Sequence, residues 1–205
     1  MFGLLDSIAP IRCVACERGK TPLCPRCAAE IDFLWFVQQG PEVLNSLTCM
    51  ARFSGTLIPY IHEMKFGPNR PCAEYAGELL FLHTNWVNAD CVTCAPLSKW
   101  RLWERGFNQA ELMARRFAKL SGIPFVPLLI KQRFTSPQAE VTTREDRLVR
   151  LVGTLAVNPS VSFIPRKVLL VDDVCTTGAT LSECAAMLKQ AGATEVHALT
   201  LAREL

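Results

Sequence analysis

The chain has 205 residues, of which 50% are hydrophobic and 20% charged, with a formal net charge of +3. That much apolar material excludes a disordered chain and suits one moderate domain with a small appendage, and the weak positive charge is no argument for nucleic acid by itself. No apolar run reaches membrane-spanning length, and the opening residues Met1 to Asp6 lack the basic start of a signal peptide.

Ten cysteines are many for this length. They are not spaced as a secreted disulfide framework, so the expectation is a cytoplasmic protein with reduced thiols. Four of them open the chain. Cys13 and Cys16, then Cys24 and Cys27, make two Cys-x-x-Cys pairs around a polar loop in which Gly19 and Pro22 favour a turn. Four thiolates suit a closed, structural Zn²⁺ site with no position left for substrate. A redox dithiol or an iron–sulfur cluster are the alternatives, although a redox pair needs one motif opening a helix rather than two in tandem.

Residues 28–35 suggest a short helix (Ala28, Ala29, Ile31, Leu34, Trp35), followed by a linker around Gly40 and Pro41. A boundary is expected between about residues 40 and 49, dividing a knuckle and linker (1–45) from the main domain (46–205). Residues 49–53 read as a strand. A helix follows with Leu57, Ile58, Ile61 and Met64 on one face, then a second through Tyr75, Leu79, Leu80 and Leu82. His62 and His83 lie on these helices as surface or core residues.

Residues 90–96 form a buried strand. Its Cys91 and Cys94 repeat the Cys-x-x-Cys spacing, but residues three apart on a strand point to opposite faces and cannot share an ion. Next comes a loop rich in basic and aromatic residues: Lys99, Trp100, Arg101, Trp103 and Arg105. Its aromatics can stack bases while its arginines hold phosphates, with core packing as the alternative for the tryptophans. A helix with Leu112, Met113, Arg116, Phe117 and Leu120 follows, then a strand over 125–129. After it lies a basic stretch containing Lys131, Arg133, Arg144, Arg147 and Arg150.

The rest of the chain is organised around residues 167–180. An apolar run (Val168, Leu169, Leu170, Val171) ends in Asp172 and Asp173, which turn into a short loop of Thr176, Thr177, Gly178, Ala179 and Thr180. Leu181, Cys184, Ala185 and Leu188 then recur at helical spacing up to a cap at Gly192, and residues 195–201 form a last strand. A strand therefore delivers hydroxyls and a glycine to a helix N-terminus, where unpaired N–H groups and the dipole favour phosphate. The acidic pair one step earlier accepts hydrogen bonds from sugar hydroxyls. An acidic pair followed by a phosphate cradle suits a ribose 5-phosphate. Cys175 lies near that helix start, where a thiol pKa can drop. The strand–helix alternation from residue 90 onward predicts an α/β fold with a doubly wound, mostly parallel sheet and a ligand outside the strands' carboxyl ends.

The 167–180 stretch resembles the binding loop of the type I phosphoribosyltransferases: an apolar strand, two acidic residues, two variable positions, then Thr-Thr-Gly-Ala-Thr. The run Arg105, Gly106, Phe107, Asn108, Gln109, together with the Cys₄ knuckle, resembles the ComF branch of that group. Arg133, Thr135, Gln138, Arg144 and Arg147 match the order of the family's long flexible loop. Leu148, Val149 and Arg150 stand where relatives usually carry Asn before Gly.

The resemblance implies a fold of phosphoribosyltransferase type that binds phosphoribosyl pyrophosphate with Mg²⁺. Residues 176–180 would hold the 5-phosphate, and Asp172 and Asp173 the ribose hydroxyls. Lys99 and Arg105 would hold pyrophosphate, with Lys65, Arg133 and Arg144 behind them. Asp172, Asp173 and Arg105 are the catalytic candidates. It also implies a role in DNA uptake during natural transformation, with single-stranded DNA (Trp100, Arg101, Trp103, Arg105) and a helicase as partners. Three functions are left open: a phosphoribosyltransferase of unknown acceptor, a single-strand-binding accessory protein, and a sensor that binds without turnover.

Overall fold

The computed structural model describes residues 11–34, 41–67, 69–132 and 155–204. At its centre is a four-stranded, all-parallel sheet of β1 (Ser46–Arg52), β6 (Glu195–Arg203), β5 (Lys167–Cys175) and β2 (Cys91–Cys94), in that spatial order. Helices cover both faces, as the alternation of strands and helices predicts. On one face lie α2 (Leu57–Phe66), α3 (Arg70–His83) and α5 (Gln109–Ser121); on the other lies α6 (Ala179–Gln190).

Strand β5 explains why both layers form. Leu169 and Val171 enter the α2–α3–α5 core, while Val168 and Leu170 enter the α6 core. A strand buried on both faces reads as a continuous apolar run rather than an alternating one. Cys91 and Cys94 likewise enter opposite cores, so the third Cys-x-x-Cys cannot bind a shared ion. The α3–α5 contact is tight because Gly77 has no side chain: a Cβ there would collide with the Met113 carbonyl oxygen. Tyr60, fully buried on α2, donates its hydroxyl proton to the Cys72 carbonyl at 2.6 Å and ties α2 to α3.

Several elements depart from the sequence reading. The first helix, α1, spans only Pro25–Ala28. Beyond it Phe33 bridges Ala51, and the Arg52 N–H donates to the Asp32 carbonyl, so residues 32–34 are drawn alongside β1 instead of extending a helix. The basic aromatic segment is not a loop: α4 (Lys99–Arg105) is a helix capped by Ser98, whose Oγ accepts from Arg101 N at 3.3 Å. The strand expected at 125–129 contributes a single parallel bridge, Phe125 to Val92. The strand β3 lies later, at Leu129–Lys131, and pairs antiparallel with β4 (Leu155–Val157). Strand β5 does not turn at the acidic pair but runs on to Cys175, held by its ladder to β6. Helix α6 caps at Ala191, one residue before Gly192.

The cysteine knuckle is packed onto the main body. Cys13, Leu23, Cys27 and Ile31 share one buried cluster with Met50, Leu57 and Tyr60. Among the described residues, no helix is long and apolar enough to cross a membrane.

Candidate functional site

The knuckle sulfurs of Cys13, Cys16, Cys24 and Cys27 all lie within 4.8 Å of one another, as the spacing predicts, and Cys16 and Cys24 Sγ are 3.7 Å apart. A tetrahedral ion with Zn–S bonds of the usual length needs sulfurs about 3.8 Å apart, a spacing that the Cys16–Cys24 pair already has. The Cys24 N–H donates to Cys13 Sγ at 3.3 Å. Burial raises the Cys13 thiol pKa, but backbone N–H groups of Cys24, Cys16 and Ala15 outweigh it and bring it down to about 6. That favours the thiolate at Cys13, whereas burial and the neighbouring thiols raise the Cys27 pKa. The four cysteines could therefore hold a metal ion such as zinc.

The second site lies at the carboxyl end of β5, the central position of the sheet. Asp172, Thr176, Thr177, Gly178, Ala179 and Thr180 line one small cleft of about 50 Å³. Gly178 has φ +77 and starts α6 without a side-chain cap. A side chain there would be strained by the backbone and would sit 3.2 Å from Pro41 Cγ. The start of α6 borders the cleft, with Thr176, Thr177, Ala179 and Thr180 exposed and the Ala179 N–H donating to Thr177 Oγ1 at 3.4 Å. Such a turn can bind a tetrahedral anion through backbone donors and hydroxyls.

The two carboxylates have different surroundings. Asp172 lines the cleft and is half-buried, and its Oδ1 accepts the Asp173 N–H at 2.8 Å. Burial, then repulsion from Asp173, pushes its pKa up to about 7, against the pull of the Asp173 N–H, Lys65 and Lys131. Asp173 is 6% exposed and is absent from the cleft lining. Its Oδ1 accepts Val174 N at 2.6 Å; its Oδ2 accepts Gln109 Nε2 at 2.9 Å and pairs with Lys65 Nζ at 3.3 Å.

The residues between β2 and α5 acquire distinct tasks. Arg105 ends α4, half-buried, with its guanidinium 5.1 Å from the centre of the Phe66 ring. Among the described residues its buried Nε has no hydrogen-bond partner, and burial lowers its pKa. Gly106 turns the chain with φ +76, and Phe107 is buried. Asn108 caps α5 by accepting Ala110 N at 3.1 Å, and its Nδ2 donates to the Ala95 carbonyl at the end of β2. Gln109 reaches Asp173. The sequence reading gave neither Asn108 nor Gln109 a task, and their place in the Arg-Gly-Phe-Asn-Gln run was the signal that they had one.

Lys99, Trp100, Arg101 and Trp103 are exposed on α4, which buries no residue. Trp100 and Trp103 are 68% and 77% exposed, with ring centres 5.3 Å apart. Core packing is thereby ruled out for them. Arg133, Arg144, Arg147 and Arg150, with Thr135 and Gln138, lie outside the described residues. Cys175 is 3% exposed, and its pKa falls to about 7. The main cause is a hydrogen bond with Cys49 on β1, opposed by burial and aided by Arg203, rather than the helix start. His62 is exposed beside Phe66, and His83 packs against Phe33.

The model of the phosphoribosyl transferase domain matches residues 103–205, which include β5, its loop and α6. Over nearly the full chain the protein is 34% identical to competence protein F of Haemophilus influenzae, covering 93% of this chain and 90% of that one. It is 28% identical to the DNA utilization protein YhgH of Escherichia coli, covering 94% and 89%. A solved structure of glutamine phosphoribosylpyrophosphate amidotransferase from B. subtilis, complexed with ADP and GMP, aligns at 25% identity with a TM-score of 0.48; it covers 67% of this chain, which spans only 30% of that protein. With its Cys₄ knuckle and parallel sheet, the chain belongs to the phosphoribosyl transferase domain family, in the ComF branch.

Proposed function

We propose that the cleft after β5 binds the ribose 5-phosphate half of phosphoribosyl pyrophosphate. The observation that carries this reading is that Asp172 shares one cleft with the Gly178 turn and the start of α6. The phosphate sits against residues 176–180, and the Asp172 carboxylate accepts from the sugar hydroxyls. Asp173 adds a second negative charge beside the sugar. Pyrophosphate needs cations opposite, and Arg105, Lys65 and Lys99 on the neighbouring helices supply them, with Arg133 and Arg144 as further candidates. A Mg²⁺ ion held mainly by ligand oxygens and water would neutralise the pyrophosphate, and one carboxylate such as Asp172 meets its need for a hard oxygen.

In a transferase, the bond from the anomeric carbon to pyrophosphate breaks as an acceptor arrives, and positive charge develops on the sugar. The residues named here hold the leaving group, align the ribose and place negative charge near the developing cation. Isothermal calorimetry with phosphoribosyl pyrophosphate and Mg²⁺ tests binding. Pyrophosphate release on adding candidate bases then separates a transferase from a sensor. In the cell, the names of the two relatives support a role in competence and DNA utilization; action in the cytoplasm alongside a helicase belongs to the same proposal. The knuckle is then a structural zinc site.

A second reading is favoured by the exposed, closely spaced Trp100 and Trp103 with Arg101 between them: a platform for single-stranded DNA. It predicts salt-dependent binding to an oligothymidylate that is lost in Trp100→Ala/Trp103→Ala. Binding left unchanged by that pair puts the DNA elsewhere on the protein.

A further inference from the structure

The binding mode proposed for the cleft leaves a nucleophile in its wall without a task. Cys175 lines the cleft together with Thr176, Thr177 and Gly178. Its Sγ lies 3.8 Å from the position a Cβ would take on Gly178 and 3.9 Å from the Thr176 carbonyl oxygen, so the sulfur packs against the turn itself. A second thiol faces it. Cys49, fully buried on β1, shares a hydrogen bond with it, and both belong to the α6 core. That bond, aided by Arg203, holds the Cys175 pKa at about 7, so near neutral pH about half of this sulfur is thiolate, the reactive form. Other buried cysteines differ: burial pushes Cys72, Cys91 and Cys184 up to about 12.

We infer that Cys175 is a redox modification site: hydrogen peroxide entering the cleft converts its thiolate to a sulfenic acid, and the added oxygen keeps phosphate off the turn. The second half of this rests on the ribose-phosphate reading above. In the reaction the thiolate sulfur attacks one peroxide oxygen. An S–O bond forms, the O–O bond breaks, and the second oxygen leaves as hydroxide, which takes up a proton to become water. Sulfur is oxidised and peroxide is reduced. Size selects the oxidant. A cleft of about 50 Å³ has room for a molecule of a few waters' size, and Cys175 is only 3% exposed, so a bulky disulfide such as oxidised glutathione is kept out. Cys49 does not close a disulfide in place. Strand β6 lies between β1 and β5, so the two backbones stand about two strand spacings, ~9.6 Å, apart, beyond the ~7 Å that a disulfide spans. Cys49 is instead a positioning residue, whose S–H donates to the Cys175 thiolate. A thiol reductant reverses the change: two of its thiols join as a disulfide, and the sulfenic oxygen leaves as water.

The test treats the full chain with hydrogen peroxide, then unfolds it in dimedone, which traps sulfenic acids, and locates the adduct by mass spectrometry. Cys175 is expected to be trapped at roughly tenfold lower peroxide than Cys72, Cys91 or Cys184. Cys49→Ala should slow the reaction about tenfold at pH 7, and the loss should disappear by about pH 10, a profile that a merely structural change would not produce. Calorimetry with ribose 5-phosphate reads the consequence. Peroxide should weaken binding to the wild type by about tenfold or more, dithiothreitol should restore it, and Cys175→Ser should keep its own affinity through the treatment. Trapping of Cys175 no earlier than the other three cysteines overturns the modification site. If peroxide weakens Cys175→Ser as much as wild type, the loss arises elsewhere and the effect on the turn is wrong. If reduced wild type binds no ribose 5-phosphate, the reading of the cleft fails, and selective trapping of Cys175 still upholds the oxidation itself.

Discussion

The knuckle and the turn after β5 are both short bends built from small side chains, yet they are held together in opposite ways. The knuckle's Cys13 and Cys27 belong to the same buried cluster as Tyr60 and Met50, so its ligand set is part of the core. The turn at residues 176–180 exposes four of its five side chains and rests on one backbone conformation at Gly178. The contrast separates stability from binding. Damage to the knuckle should spread through the fold, whereas damage to the turn should stay local and show mainly in ligand affinity.

The largest expected effect follows from emptying the metal site that the four cysteines could form. If zinc occupies it, chelation or Cys27→Ser leaves thiols crowded in a buried cluster without an ion to join them. A large loss of stability is expected, because the binding free energy of a structural metal is folding free energy. A melting scan of metal-loaded and chelated protein measures it, and an unchanged melting temperature would break the contrast at its strongest point. Gly178→Ala comes next. It forces a side chain into a left-handed position against Pro41, at a cost of ~1–2 kcal/mol. Its melting temperature should fall by only a few degrees while binding of ribose 5-phosphate is abolished.

The third effect depends on pH. The Asp172 pKa is raised from 3.8 to about 7 by burial and by Asp173. The folded state therefore holds this proton more tightly than the unfolded state. The contribution to stability is fully present below about pH 3.8 and is lost as pH rises through about 7. Asp172→Asn cannot ionise. Relative to wild type it should gain stability as pH rises from 4 to 8, measured as the difference between denaturation midpoints, even as it loses ligand. The smallest effect on stability belongs to α4. Trp100→Ala/Trp103→Ala removes two exposed rings from a helix that buries nothing, and should change stability by within ~0.5 kcal/mol. Any function lost in that variant is then a surface function.

The parts that were legible in the sequence rest on local spacing. The two Cys-x-x-Cys pairs bring four sulfurs together, and the apolar run of β5 announces a strand buried on both faces. What was not legible depends on distant partners. Asp172, Asp173 and Cys175 are poor local evidence for a strand, but β6 continues alongside them to Arg203 and supplies the ladder. Helix α4 lacks an apolar period because it has no buried face, so only Ser98 before it and Gly106 after it marked its ends. The β3–β4 pair joins residues far apart in the chain, and no nearby turn signals it. The unequal partners of Asp172 and Asp173 were hidden for the same reason: Lys65 and Gln109 come from α2 and α5.

The most direct test of the account is calorimetry of the full chain with ribose 5-phosphate, run side by side on wild type, Asp172→Asn and Gly178→Ala. The account predicts one site per chain in the wild type, with binding weakened at least about tenfold in Asp172→Asn and undetectable in Gly178→Ala. Wild-type affinity retained in Gly178→Ala, with that variant folded, would contradict it, because the ligand would then be bound somewhere other than the turn that closes β5.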